Sequence, residues 1–200
     1  MLTSKLASSL KSLLPIGALA LLSSGQAWAL PGQSREEVAA WIQANPTFKP
    51  ASGEVLLVRK SDTPARRYEF EASFMPPGRL SSLRGGGRIR SERLEIFDIP
   101  NGVTMERLEE SLRAVYGLDV YQDYQRADVV YDYPTRDTVD RARRERKPLL
   151  ELIQGELRRG ERFAYWVELA PNRGGKSQTG KVVVFLKSDL DKMETELRNR

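Results

Sequence analysis

The chain contains no histidine and no cysteine, and each absence removes chemistry. A Ser-His-Asp triad, a Cys-His dyad, and zinc or copper held by imidazole or thiolate cannot be built. Histidine is also the commonest general base, so any catalysis must run on carboxylates, lysine, tyrosine or serine. Disulfides are excluded, and stability rests on packing alone. No Asp-x-Asp-x-Asp-Gly loop is present, which leaves calcium without its usual sequence signature. Neither a metal nor a cofactor is expected. No internal repeat is visible.

What is present begins with a leader. Lys5 and Lys11 form a positive segment with no acid near, Leu13 to Leu22 is apolar apart from Pro15 and Gly17, and Ala27-Trp28-Ala29 places small residues at a cleavage site. That order reads as a secretory signal peptide over residues 1–29. The apolar run is about half of the roughly 20 residues that a span needs, so no transmembrane span is expected once the signal is removed. Cleavage before Leu30 leaves 171 residues, enough for one domain with a core. Losing Lys5 and Lys11 takes the formal charge from +5 to +3, too mild a bias to select a partner.

Ser34 and Glu37 stand at capping-box spacing ahead of Val38, Trp41 and Ile42, and Asn45-Pro46 stops that helix. Leu30 to Pro50 resembles the mature N-terminus of small uncharacterised exported proteins of cyanobacteria. The resemblance contains no catalytic signature; it implies only that the thylakoid lumen joins the periplasm as an address.

Further on, Glu54–Lys60 and Arg67–Phe74 read as a hairpin, the second strand alternating Tyr68, Phe70, Ala72 and Phe74 against polar neighbours. A loop at 79–90, rich in arginine and glycine, is expected to be mobile; it carries Arg79, Arg84, Arg88 and Arg90 with no acid before Glu92. Glu92–Ile99 is a strand. Thr104 caps a helix with a core face of Leu108, Leu112 and Val115, and Gly117 is placed to end it. Leu118–Tyr133 reads as β structure. Thr135–Gly160 reads as helical, broken at Pro148. Phe163–Leu169 and Lys181–Lys187 read as strands, followed by a short helix on Leu190, Met193 and Leu197. The order predicts a single α+β domain over 30–200, a mostly antiparallel sheet with helices packed on one face.

Three stretches could carry function. Gly175-Lys176-Ser177 resembles the end of a phosphate loop, but that motif needs a helix starting at the lysine. Here Val182-Val183-Val184-Phe185 follows, so a hairpin with an exposed, mobile tip at 172–179 is the better reading. Tyr116, Tyr121, Tyr124, Tyr131 and Tyr133 are interleaved with Asp119, Asp123, Asp128 and Asp132. Tyr121, Tyr124 and Tyr131 could form a stacking surface; strand propensity explains the same tyrosines without a ligand. Arg136, Arg141, Arg143, Arg144, Arg146 and Lys147 could bind anions such as membrane headgroups, acidic glycans or an acidic protein. Asp137–Arg141, Asp140–Arg144 and Arg141–Glu145 stand at i,i+4, however, the pattern of a self-paired solvated helix.

These features point to an exported, non-enzymatic accessory or binding protein of the cell envelope. Arg79, Arg84, Arg88 and Arg90, with Tyr121, Tyr124 and Tyr131, are its expected contacts to a protein or an anionic envelope component. Nucleic acid is not expected as a partner outside the cytoplasm. The alternative is a carboxylate-based hydrolase of envelope polysaccharide, with Asp123, Asp128 and Asp132 as its candidate acids.

Overall fold

The computed structural model describes residues 30–78 and 87–200. The expected signal peptide at 1–29, and Arg79 and Arg84 of the arginine-rich loop, lie outside the described residues. The elements run α1 (Arg35–Ala44), β1 (Leu57–Thr63), β2 (Arg66–Ser73), β3 (Ser91–Asp98), α2 (Met105–Arg126), β4 (Asp128–Tyr133), α3 (Arg136–Arg144), α4 (Pro148–Leu152), β5 (Gln154–Arg159), β6 (Ala164–Pro171), β7 (Ser177–Phe185), a 3-10 turn (Lys187–Asp189) and α5 (Leu190–Arg198). The strands form one seven-stranded sheet in the order β1-β2-β3-β7-β6-β5-β4, antiparallel throughout. The fold is α+β, without disulfides.

The chain lays down β1–β2–β3, crosses through α2 to the far edge, and returns through β4, β5 and β6 to place β7 against β3. The expected hairpin is therefore the centre of the sheet. Its two faces explain the apolar runs. Tyr165, Val167, Leu169, Val182 and Val184 join one core with Phe70, Leu94 and the buried sides of α1 and α2. Ala164, Trp166, Val183 and Phe185 join the other, with Leu190, Met193 and Leu197 of α5. A strand buried on both faces loses its polar alternation, which is why Val182–Phe185 is continuously apolar. The helices α1 and α2 share one face as expected, while α5 takes the opposite one.

Local signals set several boundaries. The Ser34–Glu37 capping box closes: the Glu37 amide donates to Ser34 Oγ, and Glu37 Oε2 accepts from the Ser34 amide at 2.8 Å. Thr104 caps α2 by accepting from the Arg107 amide at 3.3 Å. Pro148 opens α4 at its first turn, where its missing amide costs nothing.

Two expectations fail. Residues 118–126 are helical, not β. Gly117 adopts φ +80°, ψ −174°, outside helical space, and ends the first helical segment of α2 as expected; a second segment follows at once, and Tyr116, Val120, Asp123 and Tyr124 lie on the buried side of α2. Conversely, helix does not reach Gly160. Gln154–Arg159 is strand β5, and buried Gly155 and Leu157 alternate with more exposed neighbours at period two.

Candidate anion-binding corner

Among the described residues, the expected contacts are structural. Arg88 and Arg90 lie at the described end of the loop and stitch it down. The Arg88 guanidinium donates to the Gly32 carbonyl at 2.7 Å, and the backbone pairs Gly32–Ile89 and Ile89–Gln33 bind the segment to the N-terminus. Arg90 forks onto Asp189, which is buried ahead of α5. No local pattern betrays this pair, because the partner is 99 residues away. A charge pair of that kind, largely removed from water, fixes the loop's exit rather than waiting for an anion.

The tyrosines do not form a platform. Tyr124 is buried in the core under α2, its hydroxyl donating to Glu156 at 2.8 Å with the Arg158 guanidinium over its ring. Tyr131 is buried in the core of the opposite face, stacked on Tyr133 and capped by Arg198. Tyr121 is half-buried and accepts from the Gln125 side chain on the same helix. Tyr124 and Tyr131 thus sit on opposite sides of the sheet, where no flat ligand can touch both.

Among the carboxylates, Asp123 is 5% exposed. It accepts from the amides of Glu161 (2.8 Å), Arg162 (3.2 Å) and Phe163 (3.3 Å) and from the Tyr165 hydroxyl (2.6 Å). The approach is so close that a Cβ on Gly160 would meet Asp123 Oδ2 at 2.4 Å. Asp123 organises the β5–β6 turn and has no lone pair to spare for a substrate proton. Asp128 and Asp132 are exposed on the edge strand β4. Asp123 and Asp128 do line one concavity of about 400 Å³, but Arg126, Arg159 and Lys187 line it with them and balance its acids.

The hairpin tip holds no phosphate cradle. Ser177 opens a strand, and Asn172 organises the turn by accepting from the Gly174 and Lys176 amides at 2.9 and 3.2 Å. Lys176 is exposed, yet its ammonium donates to the Pro100 carbonyl at 2.8 Å. The tip faces the N-terminus of α2 across a cleft, and Glu106 already places a carboxylate there. Hydrogen bonds from its own amide and from Thr104 hold Glu106 below the usual carboxylate range. Among the described residues, no group of three carboxylate, histidine or cysteine side chains could hold a metal ion.

One cationic cluster stays available. α3 buries only Ala142, and α4 buries no side chain. The acids Asp137 and Asp140 lie in the first half of α3, while Arg141, Arg143 and Arg144 occupy its last turn, an order that suits the helix dipole. The helix then closes in a Schellman motif, with the Arg146 amide donating to the Arg143 carbonyl and the Lys147 amide to the Ala142 carbonyl. The left-handed position of that motif favours glycine, but here Arg146 holds it at φ +55°. None of the three i,i+4 pairs suggested by the sequence closes to an ion pair. Arg141 turns instead to the carbonyls of Arg198 and Arg200. Arg143 forks onto Glu151 and Lys147 pairs with Glu145. The side chains of Arg144 and Arg146 are exposed and make no ion pair or hydrogen bond among the described residues. Beside them Leu149 is 71% exposed, the most open large apolar side chain among the described residues.

The arrangement can attract anions. It offers two unpaired guanidiniums, two cations whose pairs are solvent-exposed, and a backbone turn fixed by hydrogen bonds. Sequence reasoning named these residues but set them aside as self-paired. The signal it could have used is their segregation, with acids early in α3 and bases at its end. No family model, curated protein or solved structure matches the chain.

Proposed function

We propose that this chain is an exported, non-enzymatic binding protein of the cell envelope that contacts an anionic component through the α3–α4 corner. The observation that carries the reading is the unpaired state of Arg144 and Arg146 at the end of a helix pair that is barely packed. Arg90, Arg107 and Arg158 are committed to Asp189, Asp98 and Glu156, and other arginines without an ion pair among the described residues, such as Arg35 and Arg173, stand apart from one another in the sequence. Export rests on residues 1–29, and the address is the periplasm or, for a photosynthetic source, the thylakoid lumen. The hydrolase reading loses support because Asp123 spends its carboxylate on the β5–β6 turn.

Retention on an immobilised soluble polyanion, such as dextran sulfate, tests the corner. The wild-type chain should elute at higher salt than an Arg144→Ser/Arg146→Ser double variant, because each phosphate- or sulfate-like contact adds to the salt dependence. An Arg88→Ser variant should elute with the wild type, its guanidinium being engaged with Gly32. Equal elution of wild type and the double variant would remove the corner from the account.

A further inference from the structure

We infer that the anionic partner of the α3–α4 corner is a lipid surface, with Leu149 entering the headgroup layer among the arginines. This deepens the proposed function and rests on it. The corner's charge explains attraction to any polyanion, but it does not explain Leu149. That side chain stands 71% exposed on α4 directly after Lys147-Pro148, within a few residues of Arg143, Arg144, Arg146 and Lys147. An apolar side chain at the centre of a cationic turn matches a boundary that is anionic outside and apolar a few ångströms in. A soluble acidic glycan gains nothing from it.

A protein partner fits less well. Specific protein interfaces bury about 800 Å² on each side around a cluster of anchors, whereas this corner offers one large exposed apolar residue on a turn that packs little against the sheet. The corner is also held in shape before it meets a partner. The Arg143 fork to Glu151 at 2.6 and 2.8 Å ties α3 to α4, and the Ala142 carbonyl receives the Lys147 amide at 2.8 Å. The acids near it are Asp137 and Asp140, upstream on α3, and Glu145 and Glu151, each engaged with a corner cation. Over residues 143–149 four cations face one acid. One leucine and a few charges give weak, reversible, salt-sensitive attachment rather than anchoring.

The absence of cysteine from the chain supplies a direct test. A Leu149→Cys variant of the full chain carries a single environment-sensitive fluorophore at the point of entry, and attachment through the apolar residues 1–29 would show as a shift with neutral vesicles as well. With phosphatidylcholine vesicles containing phosphatidylglycerol, the emission should shift to the blue, and high salt should reverse it. Adding Arg144→Ser/Arg146→Ser should raise the lipid needed for half the shift about 30-fold, at roughly fivefold per cationic charge. Vesicles of phosphatidylcholine alone, and soluble dextran sulfate, should give no shift. A missing shift with anionic vesicles, or an equal one with neutral vesicles, would overturn the lipid assignment. If the chain still bound dextran sulfate through Arg144 and Arg146, the anion-binding reading would stand; if it bound neither, both would fall.

Discussion

Glu92 of β3 is fully buried under α1 and α2, and neither of its carboxyl oxygens has a hydrogen-bond partner. The Tyr68 hydroxyl from β2 is likewise buried and unpartnered, and the buried Tyr116 hydroxyl from α2 lies close enough to Glu92 to interact with its carboxyl without closing a hydrogen bond of good geometry. Burial pushes the Glu92 carboxyl up to about 8 from an ordinary 4.5. The linkage then has a definite sign. Below the ordinary value both the folded and unfolded states keep the proton. Between it and about 8, only the folded state keeps it, so stability falls as pH rises, by up to about 1.4 kcal/mol per pH unit. With no histidine in the chain, little else titrates in that window. Denaturant midpoints measured across it should decline for wild type and stay level for Glu92→Gln; a level wild-type profile would refute the assignment. Asp123 works the other way, as a satisfied acceptor. Asp123→Ala should cost about 3 kcal/mol, the scale of losing several charge-assisted hydrogen bonds, and hydrogen exchange of the Glu161–Phe163 amides should quicken. Neither role was legible in the sequence. Glu92 looks like any charged strand-opening residue until β7 and α2 close over it, and the donors to Asp123 lie nearly 40 residues away.

Among the elements, α2 and the α3–α4 pair are where local pattern and final structure diverge most usefully. Gly117 looked like a helix stop because a left-handed glycine usually is one. It does break the helix there; its ψ of −174° lies in a region open essentially to glycine alone, and a second helical segment starts at Leu118. Gly117→Ala should therefore cost about 2 kcal/mol through backbone strain, read as a lowered denaturation midpoint. At the α3 C-terminus the sense reverses. Arg146 occupies a position glycine would fill without strain, and Arg146→Gly should raise stability by about 1 kcal/mol while weakening anion binding. Thermal unfolding and polyanion retention on the same variant would check both halves, and a variant that gained stability without losing affinity would exclude Arg146 from the contact. The capping box at Ser34, the Thr104 cap and the strand alternation of Tyr68, Phe70 and Ala72 were legible because each depends only on near neighbours. β5 was not, since Leu149, Leu150, Ile153 and Leu157 satisfy a helical period as well as a strand can.

At the scale of the molecule, the sheet divides the labour. One face is covered along its length by α1 and α2, and α5 covers β4–β7 on the other. The rest of that second face, over β1–β3, carries a half-buried mesh in which Arg59 and Arg93 pair with Glu69, Glu71 and Glu95. Those charges neutralise one another, whereas the α3–α4 corner keeps an excess. The α+β class and the hairpin at Phe163–Lys187 could be read from the sequence; its central position could not, because β3 pairs with β7 across the whole intervening chain. The central proposal is that this corner, rather than Tyr121, Tyr124 and Tyr131, meets the partner. Its most direct test is a salt titration of the protein on an envelope fraction of its source, comparing wild type with Arg144→Ser/Arg146→Ser and with Tyr121→Ser. The account predicts that the double variant detaches at markedly lower salt while Tyr121→Ser follows the wild type. Detachment of the double variant at the wild-type salt concentration would contradict it.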